Sequence, residues 1–507
     1  MTHVHVRHLL LFLACWLGSV GVLSPGLSAA PAESGTGESA PHLSAGQAAY
    51  VQHCARCHGV AGQGDGRDAK RLYPRPRDFT SGVYKFRSTA SGTSPTDEDL
   101  FQTITNGLTA GGMPDWGQLD EAVRWQLVNY LKTLSPTFTS NPPQPVSVGR
   151  DPGSPQVDLA RGKQVYEKLG CAACHGAQGR ANGPSAATLV DTWGRAIQPA
   201  NLTQGWSYRG GSDPQAIVLR VLTGIDGSPM PSYAEAASTD EVWQLAYYVH
   251  SLQQEPRWAI IVRVPHVSGT LPSSPDDPRW VVAQRADVQL RNVVNATGEM
   301  AAPQTVAAVS FQAVHHDEAI SMRVSWDDPS DDQGEPSDGF AVVLRPPGVV
   351  GDTVTLQAWP LRDSPPLDLC VWSAHDAQAR EAVTTSYEAV LQGRAPTRPL
   401  ASQAAYDDGR RTLVLIRSLS PTGLEGAAQL SPHRFIPVAF TVWDGGNAGG
   451  QAVSMWVDLV LQGREVASSK SDHSLTLVWV ISGIVLVLAL GLALKSHDAT
   501  TYGAKRT

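Results

Sequence analysis

Methionine and cysteine are scarce in this chain of 507 residues, at six each, and no lysine occurs between Lys168 and Lys470. The net charge is −8, so the basic face that nucleic-acid binding requires is missing. Charged residues make up only 17% and apolar ones 42%, which excludes a disordered chain. One hydrophobic core cannot serve a chain this long, and about three globular units are expected. Rare residues then become informative by where they stand.

The two ends carry apolar runs. Near the N-terminus Arg7 precedes the run Leu9 to Leu23, and small residues follow around Ala29 and Ala30. This pattern predicts a secretory signal peptide over residues 1–30, which would take Cys15 with it on cleavage. Gly18, Gly21 and Pro25 interrupt the run and argue against a retained anchor. At the other end, Leu475 to Leu494 is twenty residues without a charge. A helix of that length crosses a hydrocarbon core of about 30 Å. Lys495, Lys505 and Arg506 favour a cytoplasmic tail over residues 495–507. The expectation is a single-pass protein of the cytoplasmic membrane with its bulk on the exported, periplasmic side.

The body contains a repeat. "CARCHG" at 54–59 returns as "CAACHG" at 171–176, each after a helical pattern bearing Tyr50 or Tyr166. Each copy ends in a second helical pattern, with Trp125, Val128 and Leu131 on one face and Trp243, Ala246 and Val249 on the other copy's. The expected modules are residues 44–135 and 158–253. The Pro-rich stretch 136–157 reads as a linker.

In C-x-x-C-H, two thiols can form thioethers to haem vinyl groups while the adjacent histidine reaches the iron. A thioredoxin-type redox pair would need a βαβ context, and a zinc site two further ligands at matching places. Neither is found. The six methionines now matter. Met113 lies 55 residues after His58, and Met230 lies 55 after His175, each followed by proline. A soft thioether paired with histidine suits haem iron and raises its potential. The alternative, core-filling methionines, does not account for the duplicated spacing. His250 could serve as a histidine ligand, but its counterpart in the first copy is Lys132.

These features resemble class I c-type cytochromes over residues 44–135 and 158–253. The resemblance implies two covalently bound haem c groups, attached through Cys54 and Cys57, and through Cys171 and Cys174. It implies His58 and His175 as proximal ligands, with Met113 and Met230 as distal ones. It also implies a proline carbonyl orienting each proximal histidine, for which Pro76 and Pro199 are candidates. Arg77, Lys85 and Arg87 are candidate partners for haem propionates.

Residues 256–466 change character. Short β-branched and aromatic runs such as "VSFQAV", "ISMRVSW", "FAVVLR", "VTLQAW", "LDLCVW" and "VSMWVDLVL" alternate with turn residues. The expected fold is an antiparallel β-sandwich. "VSWDDPS", "DGFAVVL" and "PVAFTVWDGGNAGGQAVSMW" resemble the haem-binding γ subunit of ethylbenzene dehydrogenase, in which a b haem sits between Met and Lys. The lysine-free stretch excludes that pair here. Met300, Met322, Met455, His266, His315, His316, His375 and His433 leave a differently ligated haem open. "HHDE" at 315–318 reads as a hairpin tip, the acidic run 327–338 as a solvated loop, and Cys370 as a buried filler.

The fold class expected is therefore multidomain: two all-α cytochrome c domains, a β-sandwich and a C-terminal transmembrane helix. With both axial positions filled, electron transfer is favoured over catalysis. The γ-subunit resemblance implies a molybdopterin oxidoreductase of the nitrite oxidoreductase or nitrate reductase type as partner, with its catalytic and iron–sulfur subunits and further respiratory redox proteins. A free-standing tethered carrier and a haem enzyme with a dissociable methionine are the rival readings.

Overall fold

The computed structural model describes residues 41–293, 306–346, 365–447 and 450–464. The expected signal peptide, the expected transmembrane span, the "VTLQAW" run and Met300 lie outside them. No helix among the described residues is long and apolar enough to cross a membrane.

The first module holds α1 (Pro41–His53), the single turn α2 (Ala55–His58), α3 (Asp97–Asn106), α4 (Glu121–Thr133) and the short α5 (Thr137–Ser140). The second repeats this plan with α6 (Leu159–Lys168), α7 (Ala172–His175), α8 (Pro214–Thr223) and α9 (Thr239–Ser251). Local sequence fixes the starts. Thr96 and Asp99 close a capping box on α3, Asp213 caps α8, and Ser238 with Glu241 closes a capping box on α9.

Helices α1 and α4, and likewise α6 and α9, cross backbone to backbone. A Cβ on Gly46 would lie 2.4 Å from the Gln126 carbonyl oxygen, and one on Gly162 only 2.3 Å from that of Gln244. Only glycine permits that approach. One turn on, buried Tyr50 donates its hydroxyl to the Gly59 carbonyl at 2.8 Å, and buried Tyr166 to that of Gly176 at 2.6 Å. Each tyrosine thus ties its first helix to the end of its C-x-x-C-H turn. The expected linker is pinned in place: Val146 N donates to Ser88 O at 2.9 Å and Trp243 Nε1 to Val148 O at 2.8 Å.

The third module is mainly β, with a short α-helix at Tyr387–Leu391 and strands β1 (Ile261–Val264), β2 (Ala286–Asn292), β3 (Ala308–His315), β4 (Ala319–Asp327), β5 (Gly339–Leu344) and β6 (Leu367–Ser373). There follow β7 (Ala379–Thr384), β8 (Arg398–Asp407), β9 (Arg410–Ser418), β10 (Phe435–Asp444), β11 (Gly450–Ser454) and β12 (Val457–Leu461). The expected open sandwich is corrected to a barrel. Among the described residues the ladder runs β10-β11-β2-β3-β4-β9-β8-β7-β6-β5 and returns to β10. Closure depends on the length of β10. One edge pairs with β5 over Val438–Trp443, while the other is shared by β12 at Phe435–Val438 and β11 at Thr441–Asp444. Sheet closure removes the edges that a sandwich would leave unpaired. The run read as one strand in "VSMWVDLVL" breaks at Met455 and Trp456 into β11 and β12.

The barrel interior is filled. Phe311 and Phe340 pack on Phe440 with ring centroids 5.0 and 6.1 Å apart, and Trp326 stacks on Phe340 at 5.3 Å. Met322 and Cys370 are buried in the same core. The acidic run is corrected in part: Asp328 and Asp338 are buried, while Asp331 and Glu335 are exposed as expected. Arg411 reaches Asp328 at 3.0 Å, Asp331 at 2.8 Å and Asp338 at 2.6 Å. Burial holds the Asp328 and Asp338 carboxyls above the usual carboxylate range. "HHDE" is a hairpin tip, where His316 Nδ1 accepts from the backbone N–H of Glu318 and Ala319 at 3.1 Å each.

Candidate haem sites

Each C-x-x-C-H turn presents its histidine in one tautomer. The His58 Nδ1–H donates to the Arg77 carbonyl at 2.9 Å, and the His175 Nδ1–H to that of Ala200 at 2.9 Å. A carbonyl can only accept, so Nδ1 carries the proton and Nε2 keeps its lone pair for a metal. Burial lowers both imidazole pKa values, favouring the neutral form that ligation needs. The expected acceptors, Pro76 and Pro199, are each one residue early. It is the next peptide that turns its oxygen to the ring.

Cys54, Cys57, Cys171 and Cys174 are free thiols. Burial and the neighbouring thiol push Cys54 up to about 12, and burial raises Cys171 to about 11, so these sulfurs stay protonated.

The methionine loops are built alike. After α3, Gly107 adopts φ 66°, and after α8, Gly224 adopts φ 65°. Backbone of Pro114–Asp115 or Pro231–Ser232 crosses against the bare Cα, leaving no space for a side chain. Leu108 N then donates to Met113 O at 2.9 Å, and Ile225 N to Met230 O at 3.1 Å. The same local fold therefore offers a methionine at the same place in each copy.

In the second module, Cys171, Cys174, His175 and Met230 line one cavity of about 390 Å³ with Leu189 and Tyr208. The donor set is thiol, imidazole and thioether, and it fits a covalently held haem c. The first module carries Cys54, Cys57, His58 and Met113 on matching elements, and Phe79 stacks on the His58 ring at 4.4 Å. His250 is spent on the Ser212 carbonyl at 3.1 Å.

The modules meet along these loops. Ala110, in the Met113 loop, lines the second module's cavity, and a Cβ on Gly227, in the Met230 loop, would touch Val83 and Trp193 at 3.1 and 3.0 Å. Arg87 is buried in this seam, paired with Asp226 at 2.8 Å and donating to the Thr223 carbonyl at 3.1 Å. It is an inter-module clasp, not the propionate partner expected. Arg77 lies over the Trp193 ring at 4.5 Å, and Lys85 faces the second cavity. Sequence reading missed Asp226 and Arg209, which no motif marks.

The barrel closes on the second module as well. Asp327, at the end of β4, accepts from Asn201 at 2.8 Å and Gln204 at 2.7 Å. Asn201 directly follows Ala200, which orients His175, and Gln204 lies three residues beyond Asn201.

Among the described residues of the barrel, several of the candidate ligands are engaged elsewhere or exposed. The His315 ring lies between two carbonyls, Gln462 O at 2.8 Å and His316 O at 3.1 Å, and donates its one N–H to one of them, while His266 pairs with Asp317. His375 Nδ1 donates to Gln333 O at 3.3 Å, and Met455 is exposed.

A helical fold with duplicated thiol pairs, tautomer-fixed histidines and methionine loops defines two c-type cytochrome modules. Residues 41–131 match the family described as cytochrome c oxidase, cbb3-type, subunit III, and residues 159–253 match the cytochrome c family. The chain is 27% identical to the cbb3-type oxidase subunit CcoP of Azospirillum brasilense over 41% of its own length and 62% of that relative's. A haem subunit assigned to a respiratory nitrate reductase of Haloferax mediterranei is 24% identical, over 45% of this chain and 80% of that one. Among solved structures, a chain of the reducing HAO-like protein complex of Kuenenia stuttgartiensis is 43% identical. That match covers 41% of this chain and 96% of the other, with a TM-score of 0.40. The chain spans about six tenths of the length of the cbb3-type relatives it matches.

Proposed function

We propose that the protein is a dihaem electron-transfer subunit, exported and held at the membrane by the apolar segment 475–494, serving a respiratory oxidoreductase. The observation that carries the reading is the duplicated donor set, with both methionine loops meeting at one seam. Haem c, when bound, supplies one-electron exchange. Everything else falls to the chain. Cys54, Cys57, Cys171 and Cys174 would anchor the groups, and His58 and His175 would ligate through Nε2, their rings held by Arg77 O and Ala200 O. Met113 and Met230 would supply the further thioether ligands, and a group held from both sides in this way would serve as a conduit and not as a catalyst.

The buried seam around Arg87 holds the two modules in a fixed relation, as a relay between two centres requires. The likeness to respiratory haem subunits supports a redox partner of that class. On the γ-subunit resemblance, that partner is a molybdopterin oxidoreductase of the nitrite oxidoreductase or nitrate reductase type, docked through the barrel. Gentle extraction and copurification test the partner: a molybdenum-containing subunit should accompany the chain, and its absence would leave a free-standing tethered carrier. CO binding by the reduced protein would instead favour a haem enzyme with a dissociable methionine.

A further inference from the structure

The cavity around His175 is not closed by its own module. Tyr73, Lys85, Phe86 and Ala110 of the first module form part of its wall. Four cationic side chains line it: Lys85, Arg180, Arg209 and Arg220. Two are engaged. Arg180 donates to the Asp408 carbonyl at 3.0 Å, and Arg220 to the carbonyls of Lys85 and Arg87 across the seam. The acid that lines the cavity, Asp327, is already held by Arg410 at 2.9 Å and by Asn201 and Gln204.

Lys85 and Arg209 are different. Both are half-buried, and neither has a hydrogen-bond or ion-pair partner among the described residues. Arg209 also reaches the Met113 loop, its Cδ 3.2 Å from where a Cβ on Gly111 would stand. Burial, with Arg77 and Arg209 adding repulsion, pushes the Lys85 ammonium down to about 8, and Asp191 opposes this only in part. Two desolvated cations offset only in part by Asp191 are costly, and an anion entering the cavity would lower that cost. The group that the Cys171, Cys174, His175 and Met230 set is suited to hold carries carboxylate side chains.

We propose that Lys85, contributed by the first module, acts with Arg209 to bind a propionate carboxylate of the haem held by the second module. The second site is then incomplete without the first, and docking of the modules sets its potential. This rests on the two-haem reading above, and the experiment separates the two. Full-length K85Q and K85R are prepared, and their haems are counted by pyridine haemochrome. Fewer than two c haems in the unaltered chain would refute the dihaem reading itself. With both attached, redox titration follows in a Met113→His background that moves the first haem's wave away. K85Q should lower the midpoint of the second haem, because a cation beside a propionate favours the reduced state, and K85R should restore it. An unchanged second wave, a shift confined to the first haem, or failure of K85R to rescue would each overturn the proposal.

Discussion

Replacing Arg87 by methionine should loosen the two cytochrome modules from each other without unfolding either. The side chain is 1% exposed and makes an ion pair with Asp226 and hydrogen bonds to the carbonyls of Thr223 and Tyr84. Breaking a buried pair from one side costs about 3–5 kcal/mol. Asp226 keeps two other partners, the Ser91 hydroxyl at 2.7 Å and Gly92 N at 2.8 Å, so the lower end applies. Methionine also fills much of the arginine's volume, which limits any cavity cost. A loss of about 3 kcal/mol corresponds to roughly a hundredfold rise in the population of the opened seam. Native-state hydrogen exchange reads this directly at the Gly92 amide and the peptide around it, which should exchange about a hundredfold faster. Amides within α4 and α9 should keep their protection. Acceleration below about threefold, or loss of protection throughout both modules, would refute the clasp.

Other expectations follow from single contacts. Met113→Ala should leave haem attachment intact, open one iron to CO and lower its potential, as seen by difference spectra and redox titration. Gly162→Val should cost about 3 kcal/mol through backbone overlap with Gln244 and cut the haem count by one, measured by pyridine haemochrome. Arg411→Leu should destabilise the barrel by about 3–5 kcal/mol at neutral pH. Its pH dependence has a defined sign. Folded Asp328 and Asp338 sit above their unfolded values, so they favour the fold at low pH and lose that contribution as pH rises through the raised values, toward about 8. The Arg411→Leu penalty should therefore grow between about pH 4 and 8 in chemical denaturation.

What the sequence made legible was whatever is written twice. The C-x-x-C-H turns, the Met-Pro loops and the paired helices recur at nearly constant offset, so Cys54, His58 and Met113 could be read against Cys171, His175 and Met230. The orienting carbonyls were missed by one residue, because peptide rotation decides whether Pro76 or Arg77 faces the ring. Barrel closure was illegible for a different reason: β10 alternates like any half-buried strand, and nothing local says that both its edges are paired. Asp328 and Asp338 looked solvated because their counter-charge, Arg411, lies far along the chain, on the neighbouring strand β9. Arg87 likewise meets Asp226 only once the modules dock, so no single-module pattern could separate it from a propionate ligand.

The central claim is that each module holds one covalent haem c closed by histidine and methionine. Pyridine haemochrome analysis of the purified full-length chain, with a CO difference spectrum of its reduced form, tests it most directly. Two c haems per chain, with neither binding CO, is the predicted result. One c haem, a b-type band, or CO binding by the unaltered protein would contradict it.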